Sequence, residues 1–315
     1  WHVESSRITL QDVVLTVEDT PVRVRGRIET AGDTILVEPA TIGGGGSQMT
    51  VSGRFTTGAA PTARVGIHAP RLDVDEIRRL ADSLSPSRAH AAGWDLLRRA
   101  DMDLYVSIDR MQITNPHIDV RTDVQAASVG VTARDGVIDV PIHMATDGGV
   151  VPMRIRFLLN EPEPYFDLTY SAESIAPGRS VEAYLHRWFP GFRASGPVTL
   201  IDRTLQRLSP PPGEPNHPVG SGELIIEGGY VEGKAAPDWL VTIFPGLNLA
   251  RYDFVRMHDW FTKHPDGRVD HRMIFQGKYY HLYMEGHTDA DRNCRYEVGI
   301  DLLARLESKY WVDTQ

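Results

Sequence analysis

The 315-residue chain carries 33 Lys and Arg residues against 42 Asp and Glu residues, which gives a formal net charge of −9. This acidic balance argues against nucleic-acid binding, because nucleic-acid binders draw their affinity from basic residues that neutralise phosphates. The single cysteine, Cys294, excludes an internal disulfide framework and a multi-cysteine metal site. No stretch approaches the about 18 apolar residues of a transmembrane helix. Because the chain begins at Trp1 without an initiator Met, we expect it to be a processed or excised segment of a longer protein.

Apolar and polar residues alternate with a period of two along most of the chain. This pattern is typical of strands with one apolar and one solvated face, and it favours antiparallel sheet. A clear example is Val151, Met153, Ile155, Phe157 and Leu159, interrupted by polar residues such as Arg154 and Arg156. Counting such runs predicts roughly fifteen strands. The predicted fold is mainly β, with antiparallel sheet and a few short amphipathic helices.

Turn sequences separate these runs at regular intervals. Pairs such as Asp-Gly readily adopt the positive φ angles that tight hairpins need. We therefore predict turns at Ala31-Gly32-Asp33, Asp135-Gly136, Asp147-Gly148-Gly149, Asn160-Glu161-Pro162 and Pro265-Asp266-Gly267.

Helical patterns are sparse, and the predicted helices cover residues 74–84, 86–99, 180–189 and 237–244, with Ser85 and Ser180 as N-caps. The acidic cluster Asp73, Asp75 and Glu76 lies where the first of these helices begins. Carboxylates at this position accept hydrogen bonds from unpaired amide groups and oppose the helix dipole. We interpret the cluster as a helix cap and not as a catalytic or metal site.

A proline-rich segment predicts a module boundary at residues 208–220, since its composition favours an extended connection. The predicted modules are an N-terminal β module with a helical insert (1–100), a central antiparallel module (101–207) and a C-terminal β module (221–315).

Four other features could carry chemistry, and each has a plainer interpretation. The run from Gly43 to Ser47 lacks the ending of a P-loop and lies between two strands, so we interpret it as a turn or bulge. His264 and His271 flank an Asp-Gly hairpin tip that would separate their side chains, so we predict no metal site there. The pairs Asp101/Asp103 and Glu297/Asp301 have the even spacing of a solvated strand face. Tyr279, Tyr280, Tyr283 and Trp260 could line a sugar-binding face, although cross-strand packing is the commoner role of aromatics on strands and the interpretation we favour. We predict no catalytic residue, no metal and no cofactor.

Several stretches resemble AsmA-like proteins, a family of bacterial bridge-type lipid transfer proteins. They are VSGRFTTGAAPTARVGIHAPRLDVDEI from Val51, ADMDLYVSIDRMQI from Ala100, GVIDVPIHMATDGGVVPMRIRFLL from Gly136, GSGELIIEGGYVEG from Gly220 and HPDGRVDHRMIFQGKYYHLYMEGH from His264. The last two resemble the AsmA C-terminal region. The resemblance implies a periplasmic, non-enzymatic protein, anchored to the inner membrane by a segment outside this chain. Its elongated, bent antiparallel sheet would form a groove of the β-taco type that carries phospholipid or other acyl lipid between the inner and outer membranes. It also implies partners at both membranes and a role in outer-membrane biogenesis.

One apolar strand face would then form the groove floor. Its candidate residues are Val22, Val24, Leu104, Val106, Ile108, Val140, Ile142, Met153, Ile155, Phe157, Leu168 and Leu224. A closed sandwich that serves as a scaffold for outer-membrane protein or envelope assembly is the main alternative. A carbohydrate-binding or hydrolytic β-protein is the third.

Overall fold

The computed structural model describes residues 5–17, 20–57, 60–76, 98–115, 120–178, 181–182, 185, 191–208, 210, 213–232, 251–278, 280–291 and 293–302. Over these residues the structure is 74% strand and 4% helix. The predicted mainly β fold is therefore confirmed, with helix content far below the roughly 30–35% of a typical globular protein. Within the described ranges, no helix has the length and apolar character needed to cross a membrane.

The described residues form twenty strands, compared with the roughly fifteen that alternation predicts. The strands are β1 (Ser5–Val17), β2 (Thr20–Ala31), β3 (Thr34–Gly44), β4 (Ser47–Thr56), β5 (Thr62–Asp73), β6 (Asp101–Ile108), β7 (Met111–Asn115), β8 (Val120–Val124), β9 (Ala126–Arg134), β10 (Val137–Ala145), β11 (Val150–Leu158), β12 (Tyr165–Ile175), β13 (Phe192–Ala194), β14 (Val198–Arg207), β15 (Val219–Ile226), β16 (Gly229–Glu232), β17 (Arg251–Lys263), β18 (Val269–Gly277), β19 (Tyr280–Thr288) and β20 (Cys294–Leu302). All five predicted turn sequences lie between consecutive strands.

The chain divides into two compact units. Unit 1 comprises residues 1–168 with 207–209, and unit 2 comprises residues 169–206 with 210–315. Strands β5 and β6, which lie on either side of residue 100, pair with each other inside unit 1. The proline-rich segment connects β14 to β15, and these two strands pair along most of their length.

In unit 1, antiparallel pairing joins β1 through β5 in chain order, and likewise joins β6 to β9, β9 to β10 and β10 to β11. The pair β5–β6 is parallel, as is a short contact between β5 and β7. The expectation of a purely antiparallel sheet is wrong at this point. A parallel pair needs a crossover of a dozen or more residues, and residues 74–100 supply it.

Register irregularities occur on three alternate strands of unit 1. They lie between Leu10 and Val13 of β1, at positions 38–39 of β3 and between His68 and Arg71 of β5. Bulges of this kind bend a strand and increase its local twist. They therefore contribute to the bend of the sheet across β1 to β5.

Unit 2 is built around β17, which pairs with β15 and β16 on one side and with β18 on the other. The sheet continues through β19 to β20. A buried cluster that includes Leu224, Ile226, Met257, Met273 and Phe275 forms its core. Tyr252 lies in the same cluster, and its hydroxyl donates to the carbonyl oxygens of Phe275 and Tyr280 at 3.1 and 2.8 Å.

The helix predictions fall largely outside the described residues. Residues 74–76 and 98–99 are helical, as are 181–182 and 185. Residues 77–97, Ser180 and 237–244 lie outside the described ranges, as does the predicted cap Ser85.

The interpretation of the acidic cluster as a helix cap is confirmed. The Oδ1 atom of Asp73 accepts hydrogen bonds from the backbone N–H groups of Asp75 and Glu76, at 3.1 and 3.2 Å. Glu76 is buried, and its carboxylate accepts from the Ser47 hydroxyl at 2.6 Å and from the Gly46 N–H at 3.1 Å. These bonds dock the start of the helix on the turn between β3 and β4.

That turn explains part of the glycine run. Gly45 has a φ of +53°, and a Cβ atom there would lie 1.9 Å from Oε1 of Glu76. A side chain at this position would therefore be strained and would also displace the buried carboxylate. The interpretation of the run from Gly43 to Ser47 as a turn is confirmed.

Replacing Asp73 with Ala should lower the free energy of unfolding by about 1 kcal/mol, because two amide groups lose their acceptor. Asp73→Asn keeps a side-chain oxygen in place and should change the stability far less. Urea denaturation of both variants measures the difference. Equal losses for Ala and Asn would contradict the assignment of Asp73 as the cap.

Candidate functional site

The register of unit 1 places apolar residues of nine strands on one face of the sheet. Residues paired across neighbouring strands have side chains on the same face. Ile8 of β1 pairs with Ile28 of β2, which pairs with Val37 of β3. The same relation continues through β4, β5, β6, β9 and β10 to β11. We call this surface the apolar face, and the opposite surface the polar face.

Two rows of side chains run across the middle of the apolar face, perpendicular to the strands, and together they form what we call the trough. One row is Gly53, Val65, Leu104, Val131, Val140 and Ile155; the other is Val51, Ile67, Val106, Val129, Ile142 and Met153. All twelve residues are half-buried. They cross six strands, a width of about 24 Å at the usual spacing of about 4.8 Å.

Packed residues flank the trough on both sides. On one side, Ala69, Ile108 and Ala127 form a buried cluster with Met111 of β7 and Val124 of β8. On the other side, Ala133 and Ile138 are buried with Leu159, and Leu208 packs against them. The apolar face therefore has buried margins and a half-buried middle, in which Val106, Val131 and Val140 pack against those margins.

The polar face carries a network of ion pairs on β5, β6 and β9, three of the strands that form the trough. Arg64 of β5 bonds Asp101 at 3.0 Å and Asp103 at 2.9 Å, both on β6. Arg134 of β9 bonds the same two carboxylates at 3.2 Å each. The prediction that Asp101 and Asp103 share a solvated face is confirmed, and the structure adds that both are held by arginines. Glu297 and Asp301 likewise share an exposed face of β20.

These pairs depress carboxylate pKa values. The hydrogen bond from Arg64 is the main cause of the lowered pKa of Asp101, and desolvation opposes it. Further along the sheet, Arg154 binds Asp139 through two hydrogen bonds of 2.7 and 2.6 Å. This contact is the main cause of the lowered pKa of Asp139.

The trough unites six of the twelve candidate groove residues: Leu104, Val106, Val140, Ile142, Met153 and Ile155. Four others lie elsewhere on the same face or at its margin. Phe157 is half-buried in the row that contains Ala133 and Ile138, whereas Ile108 is 4% exposed in the other flanking cluster. Val22 and Val24 share the apolar face further out, on β2.

The remaining two candidates are placed differently. Leu168 is half-buried on β12. Leu224 belongs to unit 2, where it is 5% exposed in the packed core. Sequence reasoning missed Val51, Val65, Ile67, Val129 and Val131, which line the trough. Their own period-two alternation was the signal that could have identified them.

The two histidines that flank the predicted hairpin tip do not form one site. His264 bonds Asp270 at 2.8 Å, whereas His271 bonds the buried Asp259 at 2.9 Å, so the two histidines engage different carboxylates. Gly267 lies at the predicted hairpin turn between them. In the described part of the chain, no group of three or more His, Cys, Asp or Glu side chains could hold a metal ion.

The aromatic residues considered as a sugar-binding face do not form one surface. Tyr280 is buried in the unit 2 core, whereas Tyr283 and Trp260 are exposed. Tyr280 and Tyr283 differ by an odd number of positions on β19, so their side chains point to opposite faces. Tyr279 lies outside the described residues.

No family model, curated protein or solved structure matches the chain. The geometry of the trough and of the polar face is therefore the basis for the functional proposal.

The contact between Asp139 and Arg154 predicts a pH dependence of stability. The pKa of Asp139 is lower in the folded than in the unfolded chain, where it is about 3.9. The stabilisation is thus complete above that value and is lost as the pH falls through the folded-state pKa. We expect Asp139→Asn to cost up to about 1 kcal/mol at pH 7, because Arg154 is largely exposed.

The measurement is urea denaturation between about pH 7 and pH 2. Wild type should lose more stability than Asp139→Asn over the acid part of this range. Asp147→Asn is the control, since Asp147 is exposed in the β10–β11 turn and forms no ion pair with any described residue. Parallel curves for wild type and Asp139→Asn would rule out this linkage.

Proposed function

We propose that this chain is a segment of an AsmA-like periplasmic bridge protein that carries phospholipid acyl chains along the trough, between the inner and outer membranes. The proposal includes no chemical catalysis. The observation that carries it is the trough itself: two rows of half-buried, uncharged residues across six strands.

The driving force is partition. Moving an acyl chain from water onto an apolar surface is favourable by about 0.8 kcal/mol for each CH₂ group that is fully buried. A trough about 24 Å long exceeds the about 15 Å of one leaflet of the hydrocarbon core, so a whole acyl chain fits along it. A path without charged side chains also lets the chain slide, because no polar group must be desolvated on the way.

The polar face supports the same proposal. Its arginines and carboxylates are paired with one another across β5, β6 and β9. These charges give the sheet a solvated side and leave the trough as the side that takes up apolar ligands. Components of the inner and outer membranes are the proposed partners of the longer protein.

A charge placed in the trough tests this function. Ile142→Asp puts a carboxylate in the second row, on β10. If the trough is open, water hydrates the carboxylate in the lipid-free protein and the fold persists. An acyl chain, however, would have to cover an unpaired charge at a cost of several kcal/mol. We expect bound phospholipid to fall at least about tenfold.

The matched control is His143→Asp, which adds the same charge at the next residue of β10. His143 is exposed on the polar face. This variant should stay within about 0.5 kcal/mol of wild type in stability and should keep its lipid binding.

Native mass spectrometry after incubation with phosphatidylethanolamine vesicles reports bound lipid, and thermal unfolding reports the fold. Unfolding of Ile142→Asp alone would favour the closed scaffold, in which this position lies in a packed core. A folded Ile142→Asp variant that binds lipid as well as wild type would refute carriage through the trough.

A further inference from the structure

We propose that this protein forms a two-fold symmetric dimer through antiparallel pairing of β20 with β20 of a second copy. This interaction surface is separate from the trough, and it does not depend on lipid binding.

Among the described residues, strand β20 lies at an edge of the sheet. Within the described residues it pairs only with β19, through nine successive residue pairs without a bulge. The outer side of such a strand presents unpaired N–H and C=O groups, which another strand can bind. Two of its apolar side chains are unusually accessible, Val298 at 59% and Ile300 at 42%. An added strand would cover both.

The edge that β1 forms in unit 1 is protected. Strand β1 also pairs with one neighbour only in the described part of unit 1, and Ile8 and Val14 are exposed on it. Its register is broken between Leu10 and Val13, and Asp12 has a φ of 51°. A bulge of this kind interrupts the row of backbone groups and turns the edge away from partners. Strand β20 has no such device.

The sequence of β20 is complementary to itself. A two-fold axis through Val298, the middle residue of the strand, pairs all nine residues, from Cys294 opposite Leu302 to Leu302 opposite Cys294. Arg295 then lies opposite Asp301 of the second copy, and this ion pair occurs twice. On the apolar side of the strand, Val298 lies opposite Val298 of the second copy.

Charge also selects this register. Moving the two-fold axis by one residue, in either direction along the strand, places Glu297 opposite Glu297 or Asp301 of the second copy. Like charges opposite each other are destabilising. Arg295 and Asp301 are both exposed, and neither forms an ion pair with any described residue of its own copy. They are therefore available to a partner strand.

The second copy is the occupant that these observations favour. A C2 interface requires one surface patch that is complementary to itself, which β20 provides. One pair of nine-residue strands is a small interface, below about 1,200 Å², so we expect a dissociation constant in the micromolar range.

A charge exchange tests the pairing. Arg295→Asp places two aspartates opposite each other at both ends of the interface, and Asp301→Arg does the same with arginines. Each single variant should weaken the dimer by on the order of tenfold. The double variant restores opposite charges and should return the dissociation constant to near the wild-type value. Sedimentation equilibrium of the full chain over a concentration series measures all four proteins.

Engineered disulfides test the register directly. With Cys294 replaced by Ser, Val298→Cys brings two cysteines opposite each other, with Cα atoms about 4.5–5.5 Å apart, within disulfide range. Ile300→Cys is the control on the same face, because it faces Tyr296 of the second copy. Oxidation should cross-link Val298→Cys covalently and should form no covalent cross-link in Ile300→Cys. A monomer at every concentration, an unrestored double variant, or equal cross-linking of the two cysteine variants would overturn the proposal.

Discussion

Nine strands of unit 1 are aligned so that apolar side chains lie beside apolar side chains across each strand pair, and the trough depends on this register. The period of a strand is two residues, so a shift of one residue at any pair would move that strand's apolar set to the polar face. The bulge at positions 38–39 of β3 shows the constraint at work. Val37 and Ile42 are an odd number of positions apart, so a regular strand would place them on opposite faces. The bulge between them places both on the apolar face.

The crossover from β5 to β6 keeps the same constraint across the long connection 74–100. A parallel pair places its strands side by side with their apolar residues aligned, as Val65 with Leu104 and Ile67 with Val106. The capped helix start is fixed to the β3–β4 turn through Glu76 and Ser47. This buried contact positions the beginning of the crossover, so the helix cap contributes to the trough without touching it.

Alternation in the sequence predicted the fold class, the turns and the face on which most residues lie, because these follow from local geometry. Alternation could not predict which side chains pack against an apolar strand face. Leu104 and Leu224 stand in similar alternating runs, and yet Leu104 lies half-buried in the trough whereas Leu224 lies in a packed core. The parallel pair and the partner of Glu76 also escaped prediction, since both join residues far apart in the chain. Long-range pairing, and not local pattern, decides those features.

The central claim is that acyl chains lie along the trough, and mapping the attachment sites of a photoreactive phospholipid tests it most directly. The probe carries a diazirine on its acyl chain, and peptide mass spectrometry identifies the modified residues after irradiation. Our account predicts that adducts concentrate on trough residues of β4, β5, β6, β9, β10 and β11, such as Ile67, Leu104 and Met153. Adducts confined to exposed apolar residues outside the trough, such as Trp260 and Tyr283, would contradict it.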